Sequence, residues 1–278
     1  MIDLVREIKL YTQYSTDKRW ISWYAKILPL KAKRTIKILK NYKKTDSLLL
    51  DVGCSTGLTL GYIAQKFKNS IGYDIDNKAI EVARKRFKKM GLRTKFILGD
   101  GNKIPLKDNS VDIVTMLEVF EHINQPLALL SEVDRVLKPD GILHITTANK
   151  LWPIEPHFHL PFLSYLPQNL ADIYVRKIGK GKNYHDINLP TYGQFQKTVG
   201  QYFRISDITL EVIRDYSKYG MEKERGKIII FISIFLRFLD RINKISFLSS
   251  IPRNFEKVLL NLSLGWLFIC RPNKKAIA

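Results

Sequence analysis

The sequence predicts an α/β protein: a doubly wound, mostly parallel sheet with an antiparallel last strand, plus helical insertions. Three observations predict it. Between residues 46 and 150, short apolar runs of strand length alternate with amphipathic stretches of helical period. The chain has 278 residues, 45% hydrophobic and 26% charged, an ordinary globular balance that can bury a core. That alternation is interrupted twice, by segments that do not read as further β-α units.

Residues 13–44 read as helical and amphipathic, with Trp20, Trp23, Ile27, Leu28, Ile36 and Leu39 among many lysines, and Pro29 is expected to divide them into two helices. Leu48–Val52 is an apolar run bounded by turn residues, as a buried parallel strand requires. A helix over 57–67 follows, then a strand Ser70–Asp74 and a helix 78–90 with Asn77 as its cap. Thr94–Leu98, Val111–Leu117 and Ile142–Ala148 read as three further strands. The helix 125–137 ends at Lys138-Pro139-Asp140-Gly141, a strong stop signal. Residues 149–190 are rich in Pro, His and aromatics and read as an insertion. A helix near 192–200 and a strand near 203–210 resume the order. Residues 226–263 form a second, apolar and helical insertion, and Trp266–Cys270 is the last strand. The expected organisation is an N-terminal helical segment over 1–45 and one domain over 46–278, with insertions at 149–190 and 226–263.

The formal charge is +20, from 46 basic and 26 acidic side chains. Residues 1–46 carry 12 basic and 4 acidic groups and residues 77–107 carry 10 and 2, so the excess is spread rather than gathered in one tail. A solvated surface is the first reading and a nucleic-acid footprint the second. Cys54 and Cys270 are too few for a disulfide framework or a cysteine zinc site, which fits a reducing cytoplasm. The first residues lack the pattern of a secretory leader, and no apolar run reaches the roughly 20 residues of a membrane span.

The sharpest signal is LLLDVGCSTG over 48–57, which puts Asp51, Gly53, Cys54 and Gly57 at the junction of the first strand and first helix. Gly53 allows a tight turn and close approach of a ligand to the backbone, and the helix amino terminus beyond it offers N–H groups. Asp74, at the end of the second strand, stands where a carboxylate accepts from ribose hydroxyls. The spacing D-x-G-x-x-x-G departs from the dinucleotide fingerprint G-x-G-x-x-G. Asp51 suits a ligand with a positive amino group and no phosphate.

These motifs, with IGYDID, ILGDGNKIPLKDNSVDIV, MLEVFEHI and LSEVDRVLKPDGILHIT in the same order over about 46–150, resemble the class I S-adenosylmethionine (SAM)-dependent methyltransferases. The likeness is greatest to the small-molecule branch of ubiquinone and menaquinone biosynthesis, whose sheet is Rossmann-like. By that resemblance the Gly53 loop holds the methionine moiety, Asp74 the ribose and Ile75 the adenine. Asp100 accepts from the adenine amino group, aided by the Gly101 backbone, and Leu117 lines the site. SAM is the implied cofactor.

Methyl transfer needs alignment, exclusion of water and, for a hydroxyl acceptor, a base. The segment after the fourth strand lacks the Asn/Asp-Pro-Pro-aromatic motif of adenine amino-methylating enzymes, and neither cysteine stands where pyrimidine C5 chemistry needs one. Nucleic acid is therefore the weaker acceptor. Glu118, Glu121 and His122 form an E-x-x-E-H cluster resembling the metal-assisted O-methyltransferases of quinone biosynthesis. Packing, a base at His122, or a divalent metal on the three are the readings left open. The insertion NKLWPIEPHFHLPFLSYLP stands where the resemblance implies a substrate lid, and its aromatics suit a partly apolar acceptor. His157 joins His122 as a candidate catalytic group, with a hydrogen-bonded loop as the alternative reading of His157 and His159.

The run IIIFISIFLRFLDRI in the second insertion is too uniformly apolar for an ordinary surface helix. Sheet cover or a homodimer contact is the first reading. Contact with a membrane interface beside Arg237, Arg241 and Lys244 is the other, and would place a cytoplasmic protein at the inner membrane face. The expected activity is methyl transfer from SAM to oxygen of a small-molecule, glycan-like, quinone or lipid-linked acceptor. An RNA methyltransferase and a non-catalytic SAM-binding protein are the alternatives.

Overall fold

The computed structural model describes residues 18–221, 226–243 and 250–273. The predicted helical positions 13–17, the side chains of Trp20 and Trp23, Lys244 and the basic tail lie outside the described residues. The elements are α1 (Lys18–Lys40), β1 (Leu49–Val52), α2 (Leu58–Ala64), β2 (Ser70–Asp74), α3 (Asn77–Met90), β3 (Thr94–Leu98), β4 (Val111–Leu117), α4 (Pro126–Val136), β5 (Leu137–Ala148), α5 (Gln168–Lys177), α6 (Tyr192–Val199), β6 (Phe203–Asp207), α7 (Thr209–Arg214), α8 (Tyr216–Tyr219), α9 (Ile228–Asn243), α10 (Ser250–Asn261) and β7 (Gly265–Pro272).

The strands form one seven-stranded sheet in the order β3-β2-β1-β4-β5-β7-β6, with β7 antiparallel to both of its neighbours. The order reverses between β1 and β4, and that switch point opens a crevice at the carboxyl ends of the strands. Successive residues of each central strand point to opposite faces. Leu49, Ile113, Ile142 and Ile269 meet α1, α2, α3 and α7 on one face, through side chains such as Leu39, Leu60, Phe87 and Val212. Leu50, Val114, Leu143 and Phe268 meet α4 and α6 on the other, through Leu130, Val133, Phe195 and Val199. Both faces are covered, which explains why the strands read as continuous apolar runs.

Four local expectations need correction. Pro29 does not divide the N-terminal segment, because α1 runs unbroken through it. Ile27, Leu28, Ala32, Ile38 and Leu39 are buried on both sides of that proline, and their packing offsets the roughly 3 kcal/mol that an internal proline costs a helix. The cap of α3 is Asp76 rather than Asn77: its carboxylate accepts from the N–H groups of Lys78 (2.8 Å) and Ala79 (3.2 Å). β5 begins at Leu137 rather than Ile142. Leu137 pairs with Val111 and Ile142 with Ile113, so the Lys138–Gly141 stop signal is a bulge inside the strand, pinned by Lys138 Nζ on Asp112 (2.7 Å). The strand near 203–210 ends at Asp207, whose carboxylate accepts from the Thr209 N–H (2.8 Å) and turns the chain into α7. The first insertion contains α5 and a small core of its own, around Phe158, Leu163, Val175 and Tyr184.

Candidate active site

The crevice at the switch point is built from the ends of β1, β2 and β3 on one side and of β4, β5 and the insertion after β5 on the other. At its centre lies Asp51, on β1 between Gly72 of β2 and Thr115 of β4. Its carboxyl is buried and accepts from the Thr115 hydroxyl at 2.6 Å. Burial lifts its pKa to about 7, the Thr115 bond opposes that lift, and the nearby Asp74 charge adds to it. Among the described residues no cation is paired with this carboxyl.

Beyond Asp51 the chain turns through left-handed conformations at Gly53 (φ 73°), Ser55 (φ 46°) and Gly57 (φ 69°). A Cβ at Gly53 would lie 2.4 Å from Val119 Cγ2, so glycine is required there both by its dihedral angle and by the close approach of β4's exit. The Gly53 and Cys54 N–H groups donate to the Tyr73 carbonyl at 2.8 and 3.1 Å, which ties the loop to β2. Cys54 is buried beneath the loop and burial pushes its thiol far up, so it is packing rather than a nucleophile.

Asp74 ends β2, with one carboxylate oxygen accepting from the Ser55 N–H (2.7 Å) and the other from the Asp76 N–H (2.9 Å). It thus fixes the glycine loop as well as facing the crevice. Ile75 follows it and is 70% exposed, an uncovered apolar side chain at the crevice rim. Asp100 is exposed past β3. Hydrogen bonds from the Asn102 backbone (3.0 Å) and side chain (2.9 Å) hold its carboxyl below the usual range. The Gly101 N–H is engaged by the Tyr73 hydroxyl (2.8 Å), a partner the sequence did not reveal.

On the opposite wall Leu117 ends β4, and Glu118 follows in a left-handed conformation (φ 58°) that turns the chain sharply over the crevice. Glu118 forms an ion pair with Lys31 of α1. Burial works to raise its pKa, but Lys31, with His157 and Arg34, holds the carboxyl below the usual range. Glu118 is therefore paired with α1, while its charge still reaches His157. Glu121 and His122 lie on the 3₁₀ turn Phe120–His122. Glu121 is buried and accepts from the Thr147 hydroxyl at 2.9 Å, and burial raises its pKa. The His122 Nδ1 lies 2.9 Å from the Asp186 carbonyl, so Nδ1 carries the proton and Nε2 the lone pair. Burial and the neighbouring His157 lower the His122 pKa, which keeps this ring neutral.

The insertion after β5 supplies the remaining part. Glu155 is fully buried and accepts from the N–H groups of His157 (2.8 Å) and Phe158 (2.6 Å), while its other oxygen meets His157 Nδ1 at 2.6 Å. Burial opposes a charge on His157, but Glu155, Glu121 and Glu118 together raise its pKa. The His122 and His157 rings meet edge to face, centroids 5.1 Å apart. Glu121, His122 and His157 each offer a ligand atom, and these atoms lie within 4.8 Å of one another. The structure therefore gathers His122 and His157 in one cluster with Glu121, and substitutes His157 for Glu118 in the candidate metal set. Thr115, Thr147, Tyr73 and Lys31 were not anticipated, and Glu155 stood out only as a polar group among the aromatics of the insertion. For Thr115 alone a signal existed: strand periodicity places it beside Asp51 once β1 and β4 are paired.

Residues 50–145 match the family model of a methyltransferase domain. The chain carries a class I SAM-dependent methyltransferase domain. SAM is the cofactor of that family. Among curated relatives, the ubiquinone biosynthesis O-methyltransferase of Actinobacillus pleuropneumoniae serotype 7 (strain AP76) is 31% identical over 107 residues, covering 37% of this chain and 46% of the relative. The ubiquinone biosynthesis O-methyltransferase of Pelagibacter ubique (strain HTCC1062) is 29% identical over 197 residues, covering 69% of this chain and 78% of the relative. The chain thus spans less than half the length of the first of these relatives and about three-quarters of the second. Among solved structures, the PH0226 protein from Pyrococcus horikoshii OT3 shares the fold at a TM-score of 0.54 and 14% identity, over 96% of this chain and 99% of that one. No described helix is long and apolar enough to cross a membrane.

Proposed function

We propose that this protein transfers the methyl group of SAM to a hydroxyl oxygen of a small-molecule acceptor, of quinone, glycan-like or lipid-linked type. The buried Asp51 carboxyl supports the cofactor's placement. Among the described residues its partner is the Thr115 hydroxyl and no cation compensates the charged form, and the ammonium of a methionine moiety would supply one. The Gly53 loop lets that moiety lie against the backbone, Asp74 faces the ribose, Ile75 covers the adenine and Asp100 accepts from its amino group. SAM supplies a methyl carbon on a sulfonium, whose sulfur keeps the bonding pair when the carbon is attacked.

The observation that carries oxygen transfer is the hydrogen bond from His122 to the Asp186 carbonyl. It fixes the proton on Nδ1 and leaves Nε2 as the basic atom of a ring that meets His157 edge to face. Nε2 takes the proton of the acceptor hydroxyl as its oxygen bonds to the methyl carbon. His157, held by Glu155, orients that hydroxyl and closes the lid side against water. The curated relatives named above are O-methyltransferases, and a further one, the malonyl-[acyl-carrier protein] O-methyltransferase of Marinomonas sp. (strain MWYL1), is 30% identical over 105 residues.

A second reading is favoured by one observation: each member of the Glu121–His122–His157 group is anchored from behind, by Thr147, the Asp186 carbonyl and Glu155 respectively. Such outer partners orient metal ligands, and a divalent cation held there would lower the acceptor hydroxyl's pKa as a Lewis acid. The test of the proposal is incubation of the protein with methyl-labelled SAM and fractionated cell extract, with and without a chelator. Label is expected in base-stable small-molecule or lipid products. Label confined to RNA, or retained entirely in SAM, overturns the proposal.

A further inference from the structure

The helix α9 is apolar on two faces, and the fold uses one of them. Its inner face, with Ile229, Ser233, Leu236 and Leu239 buried, sits on α7 and α10, and the Ser233 hydroxyl donates to the Arg214 carbonyl at 2.8 Å. The outer face stays in solvent: Phe231 is 71%, Ile234 60% and Phe238 54% exposed. These residues follow helical spacing and form one stripe. Phe235 and Phe255 meet edge to face at 5.2 Å, which joins the stripe to exposed Phe255 and Val258 of α10. The result is a continuous apolar surface across both helices. A soluble monomer rarely leaves such a surface uncovered.

Its border decides what covers it. Lys227, Arg237, Arg241 and Lys257 are exposed around the stripe. The acidic groups of the same helices, Asp240 and Glu256, are both paired with Arg214, and Arg237 lies 3.7 Å from Asp215 of the preceding segment, which leaves basic groups in excess along the border. A second copy of this chain would bring the same cations against them, within a protein already at +20. An anionic lipid surface offers the complementary charge, and an apolar layer beneath it for the aromatic side chains. The described part of α9 is too short to span a bilayer, so the geometry is that of a helix pair lying in the interface plane.

We propose that α9 and α10 seat this protein on an anionic lipid bilayer, with Phe231, Ile234, Phe235 and Phe238 inserted among the acyl chains. The proposal stands independently of the methyl-transfer reaction. It is tested by co-sedimentation of the full chain with phosphatidylcholine vesicles, with and without phosphatidylglycerol, at low and high salt. The wild-type protein is expected to bind the phosphatidylglycerol vesicles and to be released by salt. The double variant Phe231→Glu, Phe238→Glu is expected to lose about a hundredfold in partitioning, because two inserted rings become charges. Both positions are exposed, so its melting temperature and SAM affinity are expected to match the wild type. A milder variant, Phe231→Ser, is expected to lose about tenfold. Wild-type protein that ignores anionic vesicles, or variants that bind them as well as the wild type does, overturns the proposal. A wild-type dimer in solution that these substitutions dissociate also overturns it, in favour of a second copy on this surface.

Discussion

Replacing Asp51 with Asn separates what the side chain costs the fold from what it gives the cofactor. The folded carboxyl has its pKa raised from 3.8 to about 7 by burial. One pKa unit corresponds to about 1.4 kcal/mol, so the ionised form is penalised by some 4 kcal/mol at most. The folded state holds the proton more tightly than the unfolded chain. Stability therefore falls as pH rises between about 4 and 7, and the whole penalty is present above that window. Asparagine keeps a partner for the Thr115 hydroxyl and carries no charge. With roughly half the penalty already relieved by local relaxation, the variant is expected to gain about 2 kcal/mol at pH 8, some 5 °C in melting temperature, and to lose the pH slope. Binding moves the other way. A charge-assisted bond to the cofactor's ammonium is worth about 1.5–3 kcal/mol, so SAM affinity is expected to drop roughly ten- to hundredfold. Scanning fluorimetry and calorimetry from pH 5.5 to 8 measure both. A variant that is less stable than wild type at pH 8, or that binds SAM equally well, refutes this account of Asp51.

At Gly53, substitution by Ala is expected to abolish measurable SAM binding and lower the melting temperature by several degrees, because its Cβ would lie 2.4 Å from Val119 Cγ2 at a φ of 73°. The double variant with Val119→Ala, which removes the clash but leaves the dihedral strain, is expected to recover stability only in part. His122→Ala is expected to reduce kcat about a hundredfold or more while leaving the Kd for SAM within about twofold, read by product formation and by calorimetry.

The cofactor half of the fold was legible because sequence and function share the same backbone constraints there. A buried parallel strand must be apolar along its length, and the turn after β1 must carry glycine where φ is positive, so LLLDVGCSTG announces both. β2, β3 and β4 were bounded to the residue for the same reason. Errors arose where tertiary packing overruled a local signal. Pro29 is a helix breaker in isolation, yet the buried stripe on either side of it carries α1 through. Lys138-Pro139-Asp140-Gly141 reads as the end of a helix, and it is, but the same residues are also a bulge because Leu137 already pairs with β4. The start of the short helix α7 was hidden because Phe203–Leu210 (FRISDITL) nearly alternates apolar and polar residues, the pattern of a half-buried strand, and a helix of six residues is too short to show a period of its own.

The acceptor half was less legible because its geometry depends on contacts distant in sequence. The E-x-x-E-H spacing suggested that Glu118, Glu121 and His122 act together, as residues on one regular turn would. The left-handed backbone at Glu118 breaks that turn, and Lys31, 87 residues away, draws its carboxylate toward α1. Its place is taken by His157, which nothing local ties to His122. The tie is Glu155, whose two oxygens fold the loop around themselves and leave one imidazole facing the other. His122 in turn owes its tautomer to a backbone carbonyl at Asp186, a feature no side-chain pattern can encode. The glycine loop is thus specified by what its own residues can do, whereas the basic Nε2 of His122 is specified by where the insertion after β5 lays its backbone. On the proposed reading the same division sets specificity: a change in the loop after β1 is expected to alter SAM affinity, and a change in the insertion after β5 is expected to alter which acceptor is methylated.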